Sequence, residues 1–209
     1  MGVKVDPRRQ KIEVEGKEIS FPSLLYFAFY KPQGCLSVLH DPRGRPTVGD
    51  FFRDLPVRVY PAGRLDWDAE GLIILTNDGE LAYILTHPRF GVEKVYRVVV
   101  EGKVGRREIE RLKKGVLLDG RKTIPRNLKI IRQLSHQTLL EVVLGEGRYH
   151  EIKRIFGEIG CVVRGIKRIR VGPVSLGELQ PGKWRVIRGK EKERLLALKE
   201  LKREGLRRE

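Results

Sequence analysis

Cysteine is nearly absent: Cys35 and Cys161 are the only two in 209 residues. So few exclude a disulfide framework and a thiolate zinc site, and they fit a reducing compartment. Long apolar runs are missing as well. No stretch approaches the roughly 20 residues that span a bilayer, and MGVKVDPRRQ at the N-terminus has no hydrophobic signal region. Gly2 is not followed by Ser or Thr at position six, where Asp6 stands, so a myristoyl anchor is set aside. The expected location is the cytoplasm, with no membrane partner.

Acidic residues are also in short supply. Lys and Arg number 43 against 27 Asp and Glu, a formal charge of +16. Such an excess repels itself unless it meets a polyanion, and nucleic acid is the obvious one. A Lys/Glu-rich surface of the heat-loving kind would explain many charges but not their imbalance. The hydrophobic fraction of 40% rules out a disordered basic tail.

Against that background, PAGRLDWDAEGLIILTNDGE (61–80) stands out, because it gathers Asp66, Asp68 and Glu70 beside a dense apolar run. Around it the pattern predicts elements of both kinds. KIEVEGKEI (11–19) alternates around Glu15-Gly16 as a hairpin. YFAFYKPQG (26–34) reads as a buried strand stopped by Pro32 and Gly34. Strands are expected at 56–60, 72–76, 93–102, 138–144 and 163–172, with LQPGKWRVI (179–187) closing the core. Helices are expected after Asn77-Asp78-Gly79, over 107–115, and after Gly145-Glu146-Gly147, where Ile152, Ile155, Phe156 and Ile159 fall on one face. The tail, 188–209, reads as a basic helix with Leu195, Leu198 and Leu201 as a thin apolar stripe. Strands and helices intersperse without regular βαβ spacing. The fold class is α+β, a mixed, mainly antiparallel sheet with flanking helices.

Most candidate residues have an ordinary reading. A loop aspartate such as Asp66 is usually a cap or turn residue, and Arg64 would simply pair with it. Asp68 and Glu70 read as solvated acids, with no His or Cys nearby to suggest a metal. Tyr96 shares a strand face with Val98 and Val100, either as a core tyrosine or as a platform for a base. Arg148, His150, Lys153 and Arg154 crowd the start of a helix, which makes sense if an anion docks there. Arg164, Lys167, Arg168 and Arg170 continue the basic patch. The glycines at 145 and 147 are not a phosphate-binding P-loop. Taken alone, these residues describe a basic α+β nucleic-acid binder with scope for carboxylate chemistry.

Three blocks in order add a resemblance: GRLDWDAEGLIILTNDGEL (63–81), KVYRVVV (94–100) and GEGRYHEIKRIF (145–156). With the flanks YKPQGCLS, HDPRGRPTV, LTHPRF and RVGPVSLGELQPGKWR, the chain from about Tyr26 to Ile187 resembles the RsuA/RluB-type family of ribosomal RNA pseudouridine synthases. The resemblance implies a catalytic fold with a central RNA-binding cleft over 21–187. It implies Asp66 as the catalytic carboxylate, Tyr96 as the active-site tyrosine and Lys153 as the cation paired with Asp66. RNA contacts would come from Lys31, Arg64, Arg89, Arg148, Tyr149, His150, Arg154, Lys167, Arg168 and Arg170. It further implies ribosomal RNA as partner and no metal or cofactor; a monomer is expected. Within the family the likeness leans toward the RluB-type members, which act on RNA of the large ribosomal subunit. Residues 1–20 are expected to be the linker that follows an S4 RNA-binding domain in relatives, with that domain itself expected to be missing. Ala69 stands where relatives commonly have Thr or Ser, so one loop hydrogen bond is expected to be absent. A binding-only protein of the same fold and a uridine nucleosidase are the rival readings.

Overall fold

The structure is a computed structural model, and it describes residues 13–18 and 22–200. A small hairpin comes first, β1 (Glu13–Val14) and β2 (Lys17–Glu18), turned by Glu15 and Gly16 in the left-handed region. The rest of the segment expected to be a linker lies outside the described residues, as does Leu201.

The body is one large sheet. It contains β3 (Tyr26–Lys31), β4 (Tyr60–Ala62), β5 (Glu70–Thr76) and β6 (Lys94–Glu101). A separate hairpin, β7 (Val116–Leu118) and β8 (Arg121–Thr123), precedes β9 (Asn127–Gln133), β10 (Gln137–Leu144) and β11 (Val163–Val171). The short β12 (Val174–Ser175) and β13 (Trp184–Val186) complete it. The strand order is β13-β3-β5-β11-β6-β10-β9, with β4 added on β5 and β12 on β11. Every pairing is antiparallel except β5 with β11, so the sheet is mixed and mainly antiparallel, as expected.

The helices are α1 (Gly79–Thr86), α2 (Arg106–Lys114), α3 (Glu151–Gly157) and α4 (Gly189–Ala197). They cover both faces, and strand alternation divides the core between them. Phe27, Phe29, Ile73, Leu75, Tyr96, Val98 and Val100 face α2 and α3. Tyr26, Ala28, Leu72 and Ile74 face α1 through Leu81, Ile84 and Leu85, and α4 through Leu195. The C-terminal helix therefore contributes to the core. Asp78 caps α1 by accepting from the Leu81 N–H at 3.1 Å.

Two boundaries differ from the sequence pattern. The strand expected at 56–60 begins only at Tyr60, which pairs with Thr76. Residues before Tyr60 would need partners beyond Thr76, where β5 has already turned into α1. Ile159 is buried but lies past the end of α3, in the turn that follows Gly157.

Gly71 sits where the parallel pair meets. Its φ is +112°, and a Cβ there would collide with the Arg168 backbone. Only glycine lets β5 and β11 approach this closely. The loop before β5 is thereby brought against the face carrying Tyr96.

Candidate active site

The loop from Gly63 to Ala69 has little regular structure, yet its backbone groups are held one after another. The Arg64 carbonyl accepts from Arg168 Nη1 at 3.2 Å. The Ser37 hydroxyl donates to the Leu65 carbonyl at 2.8 Å and accepts from the Leu65 N–H at 3.0 Å. The Asp66 carbonyl accepts from the Ala69 N–H at 3.1 Å, and the Trp67 carbonyl from the Gly34 N–H at 2.9 Å. Lys31 Nζ donates to the Ala69 carbonyl at 2.8 Å. Ala69 is buried, so backbone contacts steady the loop at this position.

The Asp66 carboxylate is left partly exposed by this arrangement. Among the described residues, the one basic side chain within ion-pair distance is His150, with Nε2 3.7 Å from Oδ1. Lys153, expected to pair with Asp66, instead donates to both oxygens of Asp68, at 2.7 and 2.6 Å. That contact holds the Asp68 carboxyl below its ordinary range. The cause is geometric: the turn at Trp67-Asp68 swings the second acid toward α3.

Asp66 opens on a cavity of about 580 Å³. Tyr96 forms part of its floor and is buried on the face it shares with Val98 and Val100. Arg64 and Arg148 line its walls, together with Ile152 and Ile166.

The other residues expected to meet RNA divide into groups. Lys31 and Arg168 are buried rather than on the surface, at 0% and 4% exposure. Burial pushes the Lys31 ammonium down to about 8, and it serves the loop, as does Arg168. Four cations are engaged by carboxylates: Arg148 by Glu146 at 3.0 Å, Arg154 by Asp119 at 2.6 Å, Arg170 by Glu93 at 3.3 Å, and Lys153 by Asp68. Arg164, also noted in the sequence, pairs with Glu101. Lys167 lies 4.7 Å over the Tyr30 ring. Arg89 is exposed, packed on Phe90 and Tyr83. Tyr149 is 70% exposed and stacks on His150 at 3.8 Å.

Sequence reasoning missed four residues here. Ser37 and Gly71 act through backbone approach, which has no local signature. Lys94 was legible, since it precedes Tyr96 by two on a strand and so shares its face. Burial, with the Arg168 charge adding to it, pushes Lys94 down to about 8. Glu151 reads as a helix-start acid but is buried, and burial pushes its carboxyl up.

Comparison with known proteins agrees with this architecture. Residues 25–158 match the RNA pseudouridylate synthase family. An RNA pseudouridine synthase of Aquifex aeolicus, itself described as uncharacterized, is 45% identical over 188 residues, covering 90% of this chain and 76% of its own. The ribosomal large subunit pseudouridine synthase B of Bacillus subtilis is 37% identical over 200 residues, covering 95% and 82%. A crystal structure of a pseudouridylate synthase superposes with a TM-score of 0.73 at 32% identity, covering 92% of this chain and 83% of its own. The chain belongs to the RNA pseudouridine synthase family, enzymes that isomerise uridine to pseudouridine in RNA. Among the described residues no helix is long and apolar enough to cross a membrane.

Proposed function

We propose that this enzyme converts a uridine of large-subunit ribosomal RNA to pseudouridine, with Asp66 as the acting carboxylate. One observation carries the reading. Asp66 projects into a cavity roomy enough for a nucleotide, from a loop in which the carbonyls of Arg64, Leu65, Asp66, Trp67 and Ala69 are all held, while the carboxylate itself takes no hydrogen bond from the described residues. A preorganised carboxylate that no hydrogen bond ties up is what covalent or proton-transfer chemistry at a sugar or base requires.

A uridine inside a helix cannot reach Asp66, so the base must be flipped out, at about a few kcal/mol for unstacking. Tyr96 stacks on it at the cavity floor. The C1′–N1 bond breaks and a C1′–C5 bond forms; the C5 proton leaves and N1 gains one. Asp66 attacks C1′ or the base, or takes a sugar proton. The reaction is an isomerisation, and the reading needs no metal or cofactor. Lys153 sets the charge beside Asp66 by way of Asp68, and Arg64 fills the vacated stack or holds a neighbouring phosphate. The exposed cations supply salt-sensitive affinity for the RNA backbone. The chain acts as a monomer in the cytoplasm. The printed name of the Bacillus subtilis relative supports the choice of ribosomal subunit.

Tritium release from ribosomal RNA labelled at uridine C5 tests this. Wild type is expected to release tritium from large-subunit RNA. Asp66→Asn is expected to be at least about a thousandfold slower while keeping its RNA affinity. Turnover by Asp66→Asn would remove the assignment; tight binding without release by wild type would favour a binding-only protein.

A further inference from the structure

Three charged side chains are buried at the cavity and have no part in the steps above. Lys94 shares the face of β6 with Tyr96. Arg168 lies directly opposite Tyr96 on β11, so it projects from the same face. Glu151 comes from the start of α3. All three line the cavity, and none is more than 6% exposed.

Buried charges are costly unless paired or hydrogen-bonded. Among the described residues, however, no ion pair joins Glu151 to Lys94 or to Arg168. Arg168 gives Nε to the Leu72 carbonyl at 2.7 Å and Nη1 to the Arg64 carbonyl. Its Nη2 is buried with no partner. Glu151 Oε2 accepts from the Arg148 N–H at 2.9 Å, and its Oε1 is likewise buried with no partner. Among the described residues these are the only two such side-chain atoms. One is a donor and the other an acceptor, at one cavity, and they do not satisfy each other.

A ligand that satisfied both would carry an acceptor and a donor on one edge. The pairing edge of uracil has two carbonyl oxygens and one N–H between them. Lys94, Arg168 and Glu151 offer two donors and one acceptor, its complement in number and kind. Cytosine would set its ring N3, an acceptor, against the Glu151 carboxylate. We propose that Glu151, with Lys94 and Arg168, reads the hydrogen-bonding edge of the flipped base and selects uracil over cytosine. The inference rests on the reading of this cavity as a uridine site.

Glu151→Gln is the decisive variant. The Arg148 N–H needs an oxygen opposite it, so the amide oxygen keeps that hydrogen bond and the amide nitrogen takes the orphan position. An acceptor there becomes a donor. Titrations of the full chain with uridine and cytidine 5′-monophosphates read the result. Wild type is expected to prefer the uridine nucleotide. Glu151→Gln is expected to shift the preference toward cytidine by about ten- to a hundredfold. A purely structural role would weaken both nucleotides alike. Lys94→Met leaves the bond from the Arg148 N–H to Glu151 untouched and is expected to weaken the uridine nucleotide about tenfold.

An unchanged ratio in Glu151→Gln overturns the proposal. So does an unchanged uridine affinity in Lys94→Met, or a wild type that binds both nucleotides alike or neither. The tritium assay separates the two levels. Release by wild type with an unchanged ratio removes the Glu151 assignment alone; no release removes the uridine reading beneath it.

Discussion

The loop carrying Asp66 and the loop carrying His150 meet at the mouth of one cavity, and they are held by different means. The carbonyls of Arg64, Leu65, Trp67 and Ala69 rest on Arg168, Ser37, Gly34 and Lys31 from other parts of the chain, and that of Asp66 accepts from the Ala69 N–H. From Gly145 to His150 the ties are mostly local and partly exposed: Arg148 to Glu146, Glu151 to the Arg148 N–H, and the stack of Tyr149 on His150, with longer reaches only from Arg148 to Thr123 at 3.4 Å and from His150 to Asp66 at 3.7 Å. Buried hydrogen bonds cost about 1–3 kcal/mol to leave unmade, while exposed ion pairs are worth about 0–1 kcal/mol. The carboxylate loop is therefore fixed before substrate arrives. The cationic loop can exchange its carboxylate partners for phosphates at little cost. The enzyme holds the reacting group still and leaves the gripping groups adjustable.

That contrast can be broken most forcefully at Gly71. Gly71→Ala should strain a left-handed residue and push β5 from β11, costing on the order of 3 kcal/mol. Thermal unfolding reads the loss, and a Tm equal to wild type would mean that close approach does not hold the first loop. Ser37→Ala should cost about 2 kcal/mol, because it leaves the Leu65 N–H and carbonyl without their partner. Single-turnover tritium release should slow with it while RNA affinity holds; equal losses in both would blur the distinction between the loops. Asp68→Asn is the mild case. It weakens an exposed pair, so stability should move by less than about 1 kcal/mol. The freed Lys153 should steepen the salt dependence of RNA binding by about one phosphate contact. A large fall in Tm would mean that the second loop is as rigidly built as the first.

Much of the frame was legible because its signals are local. The unbroken apolar runs YFAFY and LIIL mark strands covered on both faces, and Asn77-Asp78-Gly79 marks the cap of α1. Tyr96, Val98 and Val100 share a face as period two requires. Lys153 was legible as a cation near the acids, but its choice of Asp68 over Asp66 was not. That choice depends on how the Trp67-Asp68 turn faces α3, across 85 residues of chain. Arg168 and Lys31 looked like surface cations because charge in a sequence says nothing of what it is buried against.

By itself the sequence determined the class of fold, the positions of most strands and helices, and the blocks that mark the family, since propensity, periodicity and motif order are properties of neighbours along the chain. Only the tertiary structure decided which carboxylate is left without a hydrogen bond, which cations hold the loop, and that a donor and an acceptor are left unmatched at one cavity. Those outcomes are set by distances between residues far apart in the chain, and such distances exist only once β5 and β11 have come together.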